Sequence, residues 1–417
     1  MDILDVIFWL FYIVLIYFSV CLVLIFVENI DKKQKKAKFS KWPSVSVIIP
    51  AHNEEENISQ TIESVLNLDY PKNKLEVIVV NDGSTDRTGD VIKKFKKKGV
   101  IIINQENKGK GAALNTGLKR CKGEFVACLD ADSVVEPSTL KEMIVHFTDK
   151  NIAAVTPLMK VKNPESMLQK IQWLEYIFYF FVKKLLGAIN SINITPGPFS
   201  IYRKKALLKV GGFDEKSIVE DQEIAYRLQK YHYKIVQSED GSVFTNAPKS
   251  FKELYKQRSR WFRGTMITLY KYKYMMFNKN YGDFGIYQLP SITFGLISIP
   301  FVLLFFVVYT LLSMIDSLRQ WYLVNFSINF NALTIENLKA NIVNYFFSID
   351  YGKIFVMIAF FSISFLFMKK AHDITKDRIK LGSLIPMFLF FFVYYIILSF
   401  IWLGSLIELL IGRRRKW

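Results

Sequence analysis

The chain has 417 residues, of which 51% are hydrophobic and 15% aromatic, so it is neither disordered nor fibrous. Charged residues still make up 22% of the chain, which excludes a protein that lies wholly within a membrane. The net charge of +18 suits either an anionic membrane surface or a nucleic acid as partner, and the positions of the lysines and arginines decide between them.

Long apolar segments without any charged residue predict helices that cross a membrane, which takes about 20 residues. They comprise residues 6–27, 286–315 and 381–407, and residues 354–368 form a shorter fourth segment of marginal length. The alternative is a buried core helix, but soluble cores rarely sustain such lengths without a polar residue that faces water. The sequence therefore predicts a multi-pass membrane protein, with one membrane helix in residues 1–30 and about three spans in residues 286–417.

Basic residues flank the apolar segments, at residues 32–41, 369–380 and 413–416. The positive-inside rule places residues 31–285 in the cytoplasm, so we expect a cell-membrane protein with a large cytoplasmic domain. Four spans would leave residues 413–416 outside, so either one apolar segment lies flat or re-enters, or residues 381–411 fold back. A nucleic-acid partner is disfavoured, since that would need basic residues and aromatics together on one face of the soluble domain.

Strand-like and helix-like segments alternate in the first half of the cytoplasmic region. The predicted strands are residues 44–49, 75–80, 100–103 and 125–129, and the predicted helices are residues 58–66, 86–98, 112–119 and, further on, 222–230. Such alternation is typical of an α/β domain with a mostly parallel sheet and helices on both faces.

Acidic and amide side chains follow three of the predicted strands: Asn53 and Glu54, then Asp82, then Asp130 and Asp132. In open α/β sheets, ligands bind beyond the carboxyl ends of the strands. Two carboxylates in an Asp-x-Asp motif suit a hard divalent cation whose shell is completed by substrate phosphate oxygens. Alone the motif is weak, because aspartate after a strand is often a turn residue or a helix cap.

Three clusters later in the sequence carry charged or aromatic side chains that could also take part in a binding site. Residues 107–111, with Lys108, Lys110 and two glycines, precede a helix and favour phosphate, but no GxxxxGK[ST] motif is present. Asp221 opens a helix, where taken by itself it would be a simple N-terminal helix charge. Residues 257–261 read Gln-Arg-Ser-Arg-Trp, which suits a diphosphate and a sugar face, or else an Arg/Trp belt beside a membrane.

In this order and spacing, the motifs resemble those of the membrane-bound family 2 glycosyltransferases of GT-A fold, which include poly-N-acetylglucosamine, hyaluronan, chitin and cellulose synthases. The resemblance extends from about Ser44 to Gly264. Two departures are Val219, where the family usually has threonine, and Pro196, where it usually has serine. Neither departure removes a charged group, so the resemblance implies an active inverting glycosyltransferase with a GT-A domain.

The resemblance also implies the role of each site residue. Asp221, with Glu220, would be catalytic, Asp221 as the general base for the acceptor hydroxyl. The nucleotide sugar would be bound by Pro50, Asn53, Glu54, Asp82, Lys110, Asp130 and Arg260, the last of which would stabilise the departing diphosphate. Asp130 and Asp132 would ligate Mg²⁺ or Mn²⁺. The acceptor sugar would contact Gly197, Ser200, Gln257 and Trp261.

Two functions stay open at this stage. In the first, the enzyme lengthens a β-linked polysaccharide from a UDP-sugar and exports it through its own spans or with an accessory membrane subunit. UDP-N-acetylglucosamine is expected as the donor from its frequency in the family alone, because no residue of the sequence identifies the sugar. In the second, it adds one sugar to a lipid acceptor and transports nothing. Helices near residues 165–190 and 254–277 are expected at the membrane surface, the alternative being buried core helices.

Overall fold

The computed structural model describes residues 3–29, 32, 34–323, 339, 351–375 and 383–411. Its centre is an eight-stranded sheet in the order β3-β2-β1-β4-β7-β6-β8-β5. The strands are β1 (Val45–Ala51), β2 (Leu75–Asp82), β3 (Ile101–Gln105), β4 (Phe125–Cys128), β5 (Val134–Val135), β6 (Ile152–Val161), β7 (Ser200–Arg203) and β8 (Lys234–Thr245). Strands β3, β2, β1 and β4 are parallel to one another, whereas β7 is antiparallel to both β4 and β6, and β5 is antiparallel to β8. The expected α/β class with a mostly parallel sheet is therefore confirmed.

The helices surround this sheet and continue beyond it. They are α1 (Ile3–Asn29), α2 (Ile58–Leu66), α3 (Thr88–Lys93), α4 (Lys110–Arg120), α5 (Thr139–Ile144), α6 (Met167–Ala188), α7 (Lys204–Lys209), α8 (Glu220–Lys230), α9 (Phe251–Lys271), α10 (Leu289–Leu323), α11 (Tyr351–Thr375), α12 (Leu384–Leu389) and α13 (Tyr395–Leu410). A π-helical turn, Phe390–Tyr394, joins α12 to α13.

The central strands are buried on both faces, which explains their continuous apolar sequences. Val47 and Ile49 of β1 pack with α2 and α5 in one core cluster. Ile48 of the same strand lies in the opposite cluster, with residues of α4, α7 and α8. Because successive side chains of a strand point to opposite faces, β1 connects the two cores and lies at the centre of the domain.

The single helix predicted over residues 86–98 is wrong in extent. The structure has α3 over Thr88–Lys93 and a separate 3₁₀ turn over Lys96–Lys98. The Asp86 carboxylate accepts a hydrogen bond from the Thr88 backbone N–H, so the helix begins only after it. Gly99, at φ +82°, ends the 3₁₀ turn in a left-handed conformation that glycine adopts without strain.

Three helical segments of the described chain are long and apolar enough to cross a membrane: Trp9–Asn29, Phe284–Leu323 and Leu384–Leu410. Helices α6 and α9 pack against these segments. Leu174 of α6 and Leu254 of α9 share a buried cluster with Phe390 and Leu398, and Phe181 of α6 packs on α1 and α11. The basic flank at residues 413–416, and parts of those at 32–41 and 369–380, lie outside the described residues.

Candidate active site

The loop after β1 is fixed to the loop after β2 by hydrogen bonds. Asn53, in the left-handed region at φ +54°, accepts a hydrogen bond from the Thr85 backbone N–H at 2.9 Å. The Glu54 backbone N–H donates to the Thr88 hydroxyl at 2.8 Å. Pro50 pairs with Val80 in the parallel register of β1 and β2. The predicted nucleotide-binding residues of these two strand ends therefore lie together.

Asp82 holds the loop that precedes α4. Its carboxylate accepts hydrogen bonds from the backbone N–H groups of Lys108 and Gly109, both at 2.9 Å, and from the Gln105 amide at 2.7 Å. The adjacent Gly83 has φ +65°, and a Cβ there would lie 2.6 Å from the Asn107 backbone nitrogen. Asp82 is only 4% exposed, and its hydrogen bonds hold the loop before α4 in place in addition to any contact it makes with a nucleotide base.

Lys110, the first residue of α4, connects the donor motifs to the start of α8. Its Nζ lies 2.6 Å from Asp130 Oδ1 and 2.8 Å from Glu220 Oε1. Burial alone lowers the pKa of Lys110, but the carboxylates of Asp130 and Glu220 outweigh it and raise the pKa well above its usual value. The ammonium group thus stays charged and neutralises two carboxylates at the sheet edge.

Asp132 is the second carboxylate of the loop after β4, and the Ser133 hydroxyl donates to it at 3.0 Å. Its pKa is raised to about 6, first by burial and then by the neighbouring charges of Asp130 and Glu54. Within the described chain, no group of three or more His, Cys, Asp or Glu side chains forms a metal site. A pair of carboxylates does fit Mg²⁺ or Mn²⁺ when substrate phosphates and waters supply the other ligands.

Asp221 lies in the first turn of α8, which is joined through its main chain to the turn before β7. The Asp221 carbonyl oxygen accepts hydrogen bonds from the Thr195 backbone N–H at 3.1 Å and the Thr195 hydroxyl at 2.8 Å. The pKa of Asp221 is raised to about 6 by burial and by Glu220, while Lys110 and Arg260 oppose this shift. A carboxyl group in this environment binds a proton more readily than an ordinary aspartate, as a general base must.

Gly197 lies directly over the Lys110–Asp130 ion pair. A Cβ at this position would lie 2.5 and 2.6 Å from the two Asp130 carboxylate oxygens and 2.6 Å from Lys110 Nζ. Ser200, at the start of β7, is fully buried, and its hydroxyl donates to the Pro196 carbonyl oxygen at 2.6 Å. Glycine is therefore required for the close approach, and Ser200 fixes the turn that carries it.

Helix α9 brings Gln257, Arg260 and Trp261 to the edge of the site. Gln257 Oε1 is buried and accepts no hydrogen bond from the described residues. One face of the Trp261 ring is covered by the Arg258 guanidinium, whose carbon lies 4.0 Å from the ring centroid. Arg260 is exposed, and its positive charge is near enough to Asp221 to lower the pKa of that carboxyl group.

Arg258 belongs to a buried polar triad that the sequence did not predict. Its Nη2 donates to Glu175 Oε2 on α6 at 2.5 Å and to the Tyr394 hydroxyl at 3.3 Å, and Tyr394 donates to the same Glu175 oxygen at 2.9 Å. Arg258 is 3% exposed. The one available sequence signal was Glu175, an acidic residue within an otherwise apolar part of α6.

Lys183 lies on α6, as Glu175 does, and is a second residue whose importance the sequence did not reveal. It is 3% exposed, and burial lowers its pKa to about 7, while the Asp221 charge opposes this effect. A buried amine beside the candidate base adds to the electrostatics of the site.

Comparison with known proteins places these motifs in context. The family model "Glycosyl transferase family 2" matches residues 46–211. The chain is 32% identical to poly-beta-1,6-N-acetyl-D-glucosamine synthase of Staphylococcus epidermidis over 329 residues, which are 77% of this chain and 73% of the relative. It is 29% identical to the probable glycosyltransferase YdaM of Bacillus subtilis over 387 residues, 85% of this chain and 89% of the relative.

Among solved structures, the mannosyltransferase PcManGT from Pyrobaculum calidifontis, in complex with GDP-Man and Mn²⁺, is similar at a TM-score of 0.64 and 16% identity. The similarity covers 99% of this chain and 100% of that one. At this identity the likeness concerns the fold, and it extends over the helices that follow the sheet as well as over the sheet itself.

Proposed function

Because this chain belongs to glycosyl transferase family 2, we propose that it transfers N-acetylglucosamine from UDP-N-acetylglucosamine to a growing β-linked polysaccharide. Family membership makes it a glycosyltransferase. The choice of sugar and product follows the S. epidermidis relative, which is a poly-beta-1,6-N-acetyl-D-glucosamine synthase.

The observation that carries the proposal is the position of Asp221 between two kinds of binding group. On one side, Lys110 joins Glu220, the neighbour of Asp221, to Asp130 at the ends of the parallel strands. On the other side is α9, with the charge of Arg260 and the ring of Trp261. A proton acceptor between a phosphate-binding edge and an aromatic surface suits transfer of a sugar from a nucleotide to another sugar.

In the proposed reaction, Asp221 accepts the proton of the acceptor hydroxyl as that oxygen attacks the anomeric carbon. A new C–O glycosidic bond forms, the bond from the anomeric carbon to the diphosphate breaks, and UDP leaves from the opposite side with inversion. Arg260 stabilises the negative charge that develops on the diphosphate. Gln257 Oε1, which is buried without a hydrogen-bond donor among the described residues, accepts a hydrogen bond from the acceptor sugar.

The donor half of the site binds the nucleotide. Pro50, Asn53, Glu54 and Asp82 frame the uridine at the ends of β1 and β2. Asp130 and Asp132 would hold Mg²⁺ or Mn²⁺, which offsets the charge of the diphosphate when bound. Asp130 already pairs with Lys110, whereas burial and the charges of Asp130 and Glu54 raise the pKa of Asp132 to about 6, which supports a further positive charge beside Asp132.

The proposed location is the cell membrane, with residues 31–285 as the cytoplasmic catalytic domain and α6 and α9 at the membrane surface. Residues 1–30 and 286–417 would form the membrane region. The three apolar helical segments and the buried contacts of α6 and α9 with them support this arrangement. The lysine-rich linker after α1 supports the cytoplasmic side.

The test is the product formed from radiolabelled UDP-N-acetylglucosamine by the purified full chain in lipid nanodiscs. We expect a polymer that is resistant to organic extraction, formed only with Mg²⁺ or Mn²⁺ and lost in EDTA. If the only labelled product is a single glycolipid, polymer synthesis is overturned in favour of one-step transfer to a lipid. Incorporation from other UDP-sugars alone would overturn the donor, and full activity in EDTA would overturn the metal ligands.

A further inference from the structure

A cavity of about 340 Å³ lies away from the active site, where α1 leads into the catalytic domain. It is enclosed by the end of α1 and its linker, the chain after α5, the end of α6 and the start of β8. None of its lining residues is a predicted catalytic, donor or acceptor residue. The enzymatic reaction therefore does not account for it.

The charged lining of this cavity is mainly basic. Lys32, Lys35 and Lys184 line it together with one acidic residue, Glu239. Glu239 is paired with Lys184 at 3.1 Å. Lys32 and Lys35 are exposed, and neither forms an ion pair with a described residue. Among the described residues the cavity lining thus carries an excess of positive charge, which suits an anion such as a phosphate.

Two buried polar groups of the cavity lining have no hydrogen-bond partner among the described residues. Both ring nitrogens of His146 are unpaired although the residue is 2% exposed. Burial lowers the pKa of His146 to about 4, so its ring is neutral and offers one donor and one acceptor. Gln34 is anchored by its amide to the Gln237 carbonyl oxygen at 2.7 Å, which leaves its own Oε1 as a buried acceptor.

These two sets of groups describe one kind of ligand. The lysines favour a phosphate group. The hydrogen-bond acceptors of Gln34 and His146 favour hydroxyl groups next to that phosphate, because a buried polar group without a partner is unfavourable. Asn29, the last residue of the apolar helix α1, lines the same cavity. The cavity is thus at the level where a bilayer crossed by α1 would end.

We propose that this cavity binds the glycerophosphate headgroup of an anionic lipid. The phosphate lies against Lys32 and Lys35, and the glycerol hydroxyls donate to Gln34 and His146. Binding there attaches the linker after α1 and the end of α6 to the membrane surface. The proposal is independent of the sugar substrate, because no group of the active site takes part in it.

The test measures lipid retention by the full chain and needs no catalytic assay. The protein is reconstituted in phosphatidylcholine nanodiscs with an equal minor fraction of phosphatidylglycerol or phosphatidylserine. After mild detergent extraction, the co-purifying lipids are counted by native mass spectrometry. We expect phosphatidylglycerol to be retained in preference to phosphatidylserine, which has no headgroup hydroxyl, and K32Q/K35Q to reduce this retention about tenfold.

The matched control is K96Q/K97Q, which removes the same charge from two exposed lysines remote in sequence from the cavity. We expect less than a twofold change for this control, whereas an equal loss in both double variants would overturn the cavity as the site. His146→Leu should abolish the preference for phosphatidylglycerol and leave phosphatidylserine unchanged. An unchanged preference would overturn the role of the hydroxyls. Binding of soluble glycerol 1-phosphate without retention of phosphatidylglycerol would overturn the assignment to a lipid.

Discussion

The two halves of the sheet build their parts of the site in different ways. The proposed donor half, β3-β2-β1-β4, is parallel, and apart from Arg260 of α9 its site residues follow strand ends or begin α4, within residues 50–132. The acceptor half, β7-β6-β8-β5, has mixed strand directions, and its site residues come from a turn and from the helices α8 and α9. The donor half depends on local loop geometry, whereas the acceptor half depends on packing between distant helices.

This comparison predicts that variants of the acceptor half impair transfer without impairing nucleotide binding. Asp221→Asn preserves shape but removes the proton acceptor, so turnover should fall about 10²–10⁴-fold while UDP affinity stays within about twofold. The pKa of Asp221 is raised in the folded state, so the carboxylate opposes folding near pH 7, and this variant should not be less stable. UDP titration, turnover and thermal unfolding measure the three effects.

The matched control for that variant is Asp90→Asn, because Asp90 is an exposed acid in the first turn of α3. A helix-start charge contributes less than about 1 kcal/mol, so this control should retain normal turnover. Normal turnover of Asp221→Asn would mean that Asp221 is only a charge at the start of a helix, and would overturn the proposed mechanism.

A second variant should affect both halves at once, so that nucleotide binding and transfer are impaired together. In Gly197→Ala, the new Cβ meets both Asp130 oxygens and Lys110 Nζ, so donor and acceptor groups move together. We expect UDP affinity and turnover each to fall about 10–100-fold, since displacements near 1 Å have effects of this size. Gly295→Ala, at a helical glycine with open space around it, is the control. Loss of turnover alone would mean that the donor half tolerates the change.

A third variant sharpens the comparison within α9. Trp261→Ala removes the proposed stacking surface for the acceptor, so the oligosaccharide concentration at half-maximal rate should rise about tenfold at unchanged UDP affinity. Tyr270→Ala, on the exposed face of the same helix, is the control. A loss of UDP affinity in Trp261→Ala would instead place the indole in the donor half.

The smallest expected effect is that of pH on turnover at saturating donor and metal. Because the pKa of Asp221 is raised to about 6, the active carboxylate form is lost as the pH falls through that value. Turnover should therefore decrease about twofold between pH 7 and pH 6 and further below it. A flat profile, or a rate that rises on acidification, would contradict a base with this pKa.

The sequence predicted the strands of the proposed donor half well, because hydrophobic periodicity identifies them. The predicted strands were confirmed, and the parallel order of β2, β1 and β4 brings Asp82 and Asp130 to one edge. The predicted helix over residues 86–98 failed because the local hydrogen bond of Asp86 and the conformation of Gly99 override helical periodicity.

The acceptor half was predictable only as a set of motifs. Residues 257–261 were identified and the resemblance assigned a role to Arg260, but the local pattern did not indicate that Arg258 would be buried. Arg258 is buried because it meets Glu175, 83 residues earlier, and Tyr394, 136 residues later. Contacts over such separations depend on the final packing of helices, which local patterns do not encode.

The late position of these partners has a consequence for the order of assembly. Helix α9 is held by Tyr394, and Tyr255 of the same helix donates to Glu408 at 3.2 Å, 153 residues further along the chain. During synthesis, the strand ends of the donor half are complete long before these two residues leave the ribosome. Helix α9 makes these contacts only when the segment Leu384–Leu410 has packed beside it. A nascent chain can thus complete the strand ends proposed to bind the nucleotide before the helix that carries Trp261 is in place, and the proposed transfer must wait for that last segment.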